Sequence, residues 1–121
     1  MVALVAVKVL RSLNGAKVAV TKINMKHIEV ALEQYKLNHG SYPTTEQGLS
    51  ALVTESARDA IPGNIPSDRT LKRLPTDGWG HKFIFNSPGL SGHEYDLISF
   101  GADQKEGGEG INADITYIPG V

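Results

Sequence analysis

An α+β fold, a long N-terminal helix packed on a small antiparallel sheet, is predicted for this 121-residue chain. Three observations predict it. Residues 16–37 contain neither proline nor glycine and carry apolar residues at helical period. Short strand-like runs occur only in the C-terminal half, at Lys82–Asn86, Tyr95–Phe100 and Ile115–Ile118. Helices that precede the strands, rather than alternating with them, give α+β and not a βαβ repeat.

At its N-terminus the chain reads Met-Val-Ala-Leu-Val-Ala-Val, and Val9 and Leu10 extend the apolar run past Lys8. A spanning helix needs about 20 apolar residues, and ten residues rise only about 15 Å, half a bilayer core. No basic segment precedes the run and no clear small-residue cleavage site follows it, so it is not a complete signal peptide. Three readings remain for residues 1–15: a buried core helix, the remnant of a membrane helix and its stem, or an expression scar. Residues 16–121 are expected to form a single domain.

Ile28, Ala31, Leu32 and Tyr35 form one stripe at i, i+3, i+4 and i+7, and Val20 and Ile23 are expected to extend it backward. Glu29 and Glu33 are a like-charge i,i+4 pair, which places their face in solvent. Gly15 weakens the helix by about 1 kcal/mol without stopping it. Gly40 suits a left-handed C-terminal cap, so the helix spans about 20–35 residues and ends near His39. Thr44 and Gln47 fit a capping box, with Glu46 favourable at the helix start, for a short helix over 46–53 that buries Leu49, Leu52 and Val53. Residues 54–74, broken by Pro62, Gly63 and Pro66, read as a surface loop, and 75–80 as a turn cluster.

Composition limits the chemistry. With no cysteine, there is no disulfide, thiol nucleophile or thiolate metal site. A net charge of −1 lacks the basic excess of a nucleic-acid binder. The charge is divided, however: Lys8, Arg11, Lys17, Lys22 and Lys26 precede Glu29 with no acid among them, and thirteen acids then face seven bases. The basic stem suits anionic lipid or an acidic neighbour; the acidic end suits a cation. No phosphate-binding, hydrolase or zinc-protease motif occurs, and no constellation for an enzyme is evident. His27, His39, His81 and His93 share no metal-ligand spacing and read as surface or core-edge residues. His27, four residues from Ile23, reads as a packing residue, and Trp79 between two glycines as a plug over a small core.

One segment carries a candidate site. Residues 100–115 hold Asp103, Glu106, Glu109 and Asp114, with Asn112 as a neutral oxygen donor and glycines at 101, 107, 108 and 110. Oxygen ligands on a glycine-rich loop suit Ca²⁺, which takes six to eight of them at about 2.3–2.6 Å; Mg²⁺ keeps its waters and demands an octahedron. The spacing is not that of an EF-hand, since Lys105 occupies the third position counted from Asp103. A bound ion would neutralise the carboxylates and close the loop, turning binding energy into folding energy. The alternative is a solvated acidic loop.

Several segments together resemble the major pseudopilin of type II secretion: Tyr35-Lys36-Leu37-Asn38, Tyr42-Pro43-Thr44-Thr45-Glu46-Gln47-Gly48-Leu49 and Ala51-Leu52-Val53. Leu71 to Asp77 with Trp79-Gly80, Ser87-Pro88-Gly89, Tyr95 to Asp103 and the loop to Asp114-Ile115 complete the series. The resemblance covers about residues 2–115. It implies a pilin-like fold with a Gly/Asp-rich C-terminal calcium loop, and a non-enzymatic subunit that polymerises into a helical periplasmic fibre, the pseudopilus, driving export of folded proteins. It implies minor pseudopilins and an inner-membrane assembly platform as partners. It also implies an anchor in the inner membrane of a Gram-negative bacterium, through an N-terminal helix of which Val2–Lys22 resembles the end, and no nucleic acid. By motif position it places a structural Ca²⁺ on Asp103, Asp114 and the Phe100 carbonyl, with the Lys105 carbonyl and Asn112 ranked second. Two departures stand out: Gly78, where the family often has proline, and Thr116-Tyr117-Ile118-Pro119, where it usually ends in glycine-asparagine-tryptophan. The alternatives are a soluble calcium-dependent module that binds a ligand through the acidic loop or around Trp79, and a related type IV pilin-like subunit.

Overall fold

The uninterrupted helical pattern produces a single element, α1 (Val2–His39), of 38 residues, about 57 Å at the usual helical rise. A computed structural model describes residues 2–53, 71–90 and 92–117, with side chains from Gly15 onward. The helix runs through Gly15 and stops where expected. Gly40 adopts φ +86°, and its N–H donates to the Lys36 carbonyl at 2.7 Å, closing the last turn. Among the described residues no helix is long and apolar enough to cross a membrane.

The buried stripe of α1 is Thr21, Met25, Ile28 and Leu32, with Tyr35 half-buried. Its upstream half therefore differs from the expectation: Val20 and Ile23 are 44% and 55% exposed. The stripe continues through Thr21 because the body meets this turn with polar groups. The Gly78 N–H donates to Thr21 Oγ1 at 2.8 Å, and Asn24 Nδ2 donates to the Thr76 carbonyl at 2.7 Å. His27 is exposed and not a packing residue. Glu29 is also a correction. It is 8% exposed, turned onto the body, where it accepts from the Tyr117 hydroxyl and pairs with Lys26 at 2.8 Å.

The expected capping box forms: the Thr44 N–H donates to Gln47 Oε1 at 2.9 Å, and the Gln47 N–H to Thr44 Oγ1 at 3.2 Å. It closes a turn and not a helix, since Gly48 at φ +66° intervenes and helical geometry begins only at Ser50. Leu49 and Leu52 are buried as expected, and Val53 is half-buried. Most of the expected loop over 54–74, residues 54–70, lies outside the described residues.

Three strands follow: β1 (Ile84–Asn86), β2 (Asp96–Ser99) and β3 (Ile115–Tyr117), each within its predicted run and shorter than it. They pair antiparallel in the order β1-β2-β3. The register aligns Phe85, Leu97 and Tyr117 on one face and Ile84, Ile98 and Thr116 on the other, as strand alternation requires. The first face packs on α1: Phe85 and Leu97 are buried with Met25, Ile28 and Leu32, and Tyr117 packs against this core. Tyr95 meets Tyr42 edge-on with ring centroids 4.9 Å apart, a favoured aromatic geometry. Trp79 is half-buried and lies outside the core cluster, so it is no plug.

Candidate functional site

The Gly/Asp-rich loop leaves β2 at Phe100 and returns through a short 3₁₀ turn (Gly110–Asn112) into β3. It folds back on itself. The Ala102 N–H donates to the Ile111 carbonyl at 2.9 Å. A Cβ on Gly101 would lie 2.8 Å from the carbonyl oxygens of both Ile111 and Ala113, and one on Gly108 would lie 2.5 Å from that of Asn112. Both glycines also have positive φ, +78° and +94°, which side chains other than glycine rarely adopt. Close approach and backbone conformation thus select glycine at the two points where the outgoing and returning chains touch.

The five residues assigned to a cation occupy this loop as two groups. Asp103 is exposed, and its Oδ1 accepts from the Lys105 N–H at 3.0 Å, which places Asp103 and Lys105 on one turn. Both carboxylate oxygens of Asp114 lie 3.1 Å from the Gly107 N–H. Asp114, Phe100 and Glu106 line one groove beside the sheet; Asp103, Lys105 and Asn112 do not. Among the described residues no three His, Cys, Asp or Glu side chains gather as a metal cluster. The donors assigned, two carboxylates, two backbone carbonyls and the Asn112 amide oxygen, are all hard oxygens. Their chemistry fits Ca²⁺ and not a thiolate- or imidazole-seeking metal.

Behind the loop stands a polar hub that sequence reading missed. Asp77 is 4% exposed. Its Oδ1 accepts from the Trp79 N–H at 3.0 Å and the His81 N–H at 2.9 Å, and its Oδ2 from Ser99 Oγ at 2.8 Å. A buried carboxylate needs such donors. Ser99 Oγ in turn accepts from the Gly101 N–H at 3.2 Å. Since Gly78 holds Thr21 on α1, one hydrogen-bonded path joins the helix, the 77–81 turn, β2 and the root of the acidic loop. The available signal was the Thr-Asp-Gly turn, where Asp side chains bond the backbone two residues on.

A further surface lies on the sheet face turned away from α1. Ile84, Ile98 and Thr116 floor a groove of about 530 Å³, and Leu90 and Phe100 add apolar surface. Asp96, Glu106 and Asp114 also line it.

A long helix packed on a three-stranded antiparallel meander, with a glycine-and-acid loop before the last strand, is the architecture of a pilin-like subunit. The fold matches the crystal structure of the major pseudopilin from the type 2 secretion system of enterohaemorrhagic Escherichia coli, with TM-score 0.62 and 33% identity over 84% of this chain and 86% of that one. The model of the type II secretion system protein G family matches residues 8–118, and the chain belongs to this family. It is 45% identical over 113 residues to the type II secretion system core protein G of Pseudomonas aeruginosa, covering 93% of this chain and 79% of that protein. The Vibrio cholerae protein of the same name is 48% identical over 88 residues, 73% of this chain and 59% of that protein. The resemblance read from the Tyr42–Leu49 and Tyr95–Asp114 segments is thereby confirmed.

Proposed function

We propose that this chain is a structural subunit of the pseudopilus, polymerising in the periplasm into a fibre anchored at the inner membrane that drives export of folded proteins. Family membership and the match to a major pseudopilin support this reading. The carrying observation on the chain itself is the second apolar face of α1. Val20, Ile23 and Leu37 are 44%, 55% and 74% exposed, on the side of the helix opposite to Met25 and Leu32 and uncovered by the described residues. Val20 and Ile23, three positions apart, are neighbours on the helix surface, and it is this exposed apolar pair that offers a contact for another subunit. A subunit of this kind needs no catalytic group, only surfaces that bind other copies, minor subunits and an assembly platform.

Calcium has a structural role in this reading. Asp103 and Asp114, with the carbonyls of Phe100 and Lys105 and with Asn112, would hold the ion and fasten the acidic loop between β2 and β3. When bound, Ca²⁺ supplies positive charge to a loop whose carboxylates otherwise repel one another.

Ile23→Asp tests the assembly role. The side chain is more than half exposed, so stability is expected to change by less than about 0.5 kcal/mol, while fibre formation and secretion are lost. Intact fibres from this variant would refute assembly through α1.

A further inference from the structure

A side-chain contact joins the acidic loop to the 77–81 turn. The amide of Gln104, between Asp103 and Lys105, lies within hydrogen-bond distance of His81 Nε2, 23 positions away. Asp77 fixes His81 in turn. The His81 N–H donates to Asp77 Oδ1 at 2.9 Å, and its ring Nδ1 lies 3.9 Å from the same oxygen. Nδ1 is buried without a hydrogen-bond partner among the described residues, so the Asp77 carboxylate is the charge it faces. A neutral ring with its proton on Nδ1, toward Asp77, presents the Nε2 lone pair to the Gln104 amide.

The backbone at Gln104 carries a cost that this contact explains. Gln104 has φ +56° and is the one residue other than glycine with positive φ among the described residues. The other such positions described in the loop, 101, 107, 108 and 110, are all glycine, the residue that adopts this conformation freely. Gln104 is exposed, so burial does not offset the cost. What its side chain reaches is His81.

We propose that His81 and Gln104 are positioning residues for the cation: their contact holds the turn bearing Asp103 and the Lys105 carbonyl against the buried Asp77 before the ion arrives. This rests on the calcium reading. The hub then grips the loop twice, at its root through Ser99 and Gly101 and at its turn through His81 and Gln104. Groups outside a ligand set that orient the ligands commonly change metal affinity. A turn already in place loses less freedom on binding.

The test is titration calorimetry with CaCl₂ on the full chain and its variants, with amide hydrogen exchange in chelator to read the turn without the ion. Gln104→Gly relieves the backbone and deletes the contact. Its Tm in chelator is expected within about 3 °C of the parent. Its Kd for calcium is expected to rise about three- to tenfold, the size of one hydrogen bond between neutral groups, and its Lys105 amide to exchange faster. His81→Ala gives the same loss of affinity and faster exchange. His81→Gln, which keeps an acceptor near the Nε2 position, restores both. The double variant His81→Ala/Gln104→Gly binds no more weakly than either single one. Parental Kd in Gln104→Gly, or additive losses in the double variant, would overturn the positioning role and leave the calcium reading standing. A parent chain that takes up no calcium would overturn that reading and this inference with it.

Discussion

The hydroxyl of Tyr117 on β3 donates to the carboxylate of Glu29 in the middle of α1, 88 positions away. The bond ties β3 to the middle of the helix. Glu29 is buried, and Lys26 is its other partner. Tyr117→Phe keeps the ring on the core and removes only the donor. A hydrogen bond to a charged group contributes about 1.5–3 kcal/mol, so denaturant unfolding of this variant is expected to show a loss of that size. Pairing it with Glu29→Gln in a double-mutant cycle should recover much of the loss as coupling.

Gly78 sits against the backbone of α1. A Cβ there would approach the Lys17 carbonyl oxygen to 2.2 Å and the Lys17 carbonyl carbon to 2.8 Å, and neither is a flexible side-chain tip. Gly78→Ala is therefore expected to push the 76–78 turn off the helix and cost about 1–3 kcal/mol. Gly78→Pro would in addition remove the N–H that Thr21 accepts and should be worse. Thr21→Val, which leaves that N–H without its acceptor, is the matching helix-side variant.

The buried Asp77 hub predicts a graded series. Ser99→Ala removes one of its three donors and frees the Gly101 N–H, a loss of about 1–3 kcal/mol. Asp77→Ala strands Ser99 and two turn amides together and should exceed it. Faster amide hydrogen exchange at Trp79, His81 and Gly101 in both variants would locate the damage on the path from the helix to the acidic loop.

Elements governed by local periodicity were legible in the sequence. The glycine that caps α1, the capping-box bonds of Thr44 and Gln47, and the three strands fall within a few residues of expectation because backbone preferences and alternation set them. What was not legible depends on long-range packing. The helix stripe turned from Val20 and Ile23 to Thr21 because the 76–78 turn supplies hydrogen-bond partners 50 or more residues away. Glu29 went inside because Tyr117 arrives from the far end of the chain. Composition identified the acidic loop as a segment, but its folding places Asp114 at the sheet groove and Asp103 on an exposed turn, a division that no spacing rule contains.

Tyr95 predicts an alkaline limit to stability. Its side chain is 1% exposed, and its hydroxyl is buried without a hydrogen-bond partner among the described residues. Burial, reinforced by Tyr42 and the carboxylates of Glu29, Glu33 and Glu94, pushes its ionisation well above the usual tyrosine value. Burial and Glu94 raise Tyr42 in the same direction. The folded state thus keeps these protons after the unfolded chain has begun to lose them, near pH 10. Stability is fully present below that pH and falls as pH rises beyond it. Tyr95→Phe removes a buried unpaired hydroxyl, so the variant should be as stable as the parent or up to about 1 kcal/mol more so at neutral pH. Its melting temperature should also fall less steeply between neutral pH and pH 11.

The calcium reading makes the sharpest prediction, because the ion and the loop fold must stabilise each other. An ion that binds only the folded chain stabilises it by about 2.7 kcal/mol when its free concentration is a hundredfold above Kd. For a domain of this size that corresponds to a rise in Tm on the order of 10 °C. Chelation should reverse the rise and open residues 103–110 to proteolysis. Asp103→Ala and Asp114→Ala should each abolish the calcium response. Their effects without calcium should be small, since among the described residues Asp103 accepts from the Lys105 N–H and Asp114 from the Gly107 N–H, both at the surface. Magnesium at equal concentration should stabilise far less, since carbonyls held by a glycine-rich loop match the larger, more permissive ion. Identical melting curves in calcium and in chelator would remove the ion from the structure of this loop and leave Asp103 and Asp114 as turn-capping side chains.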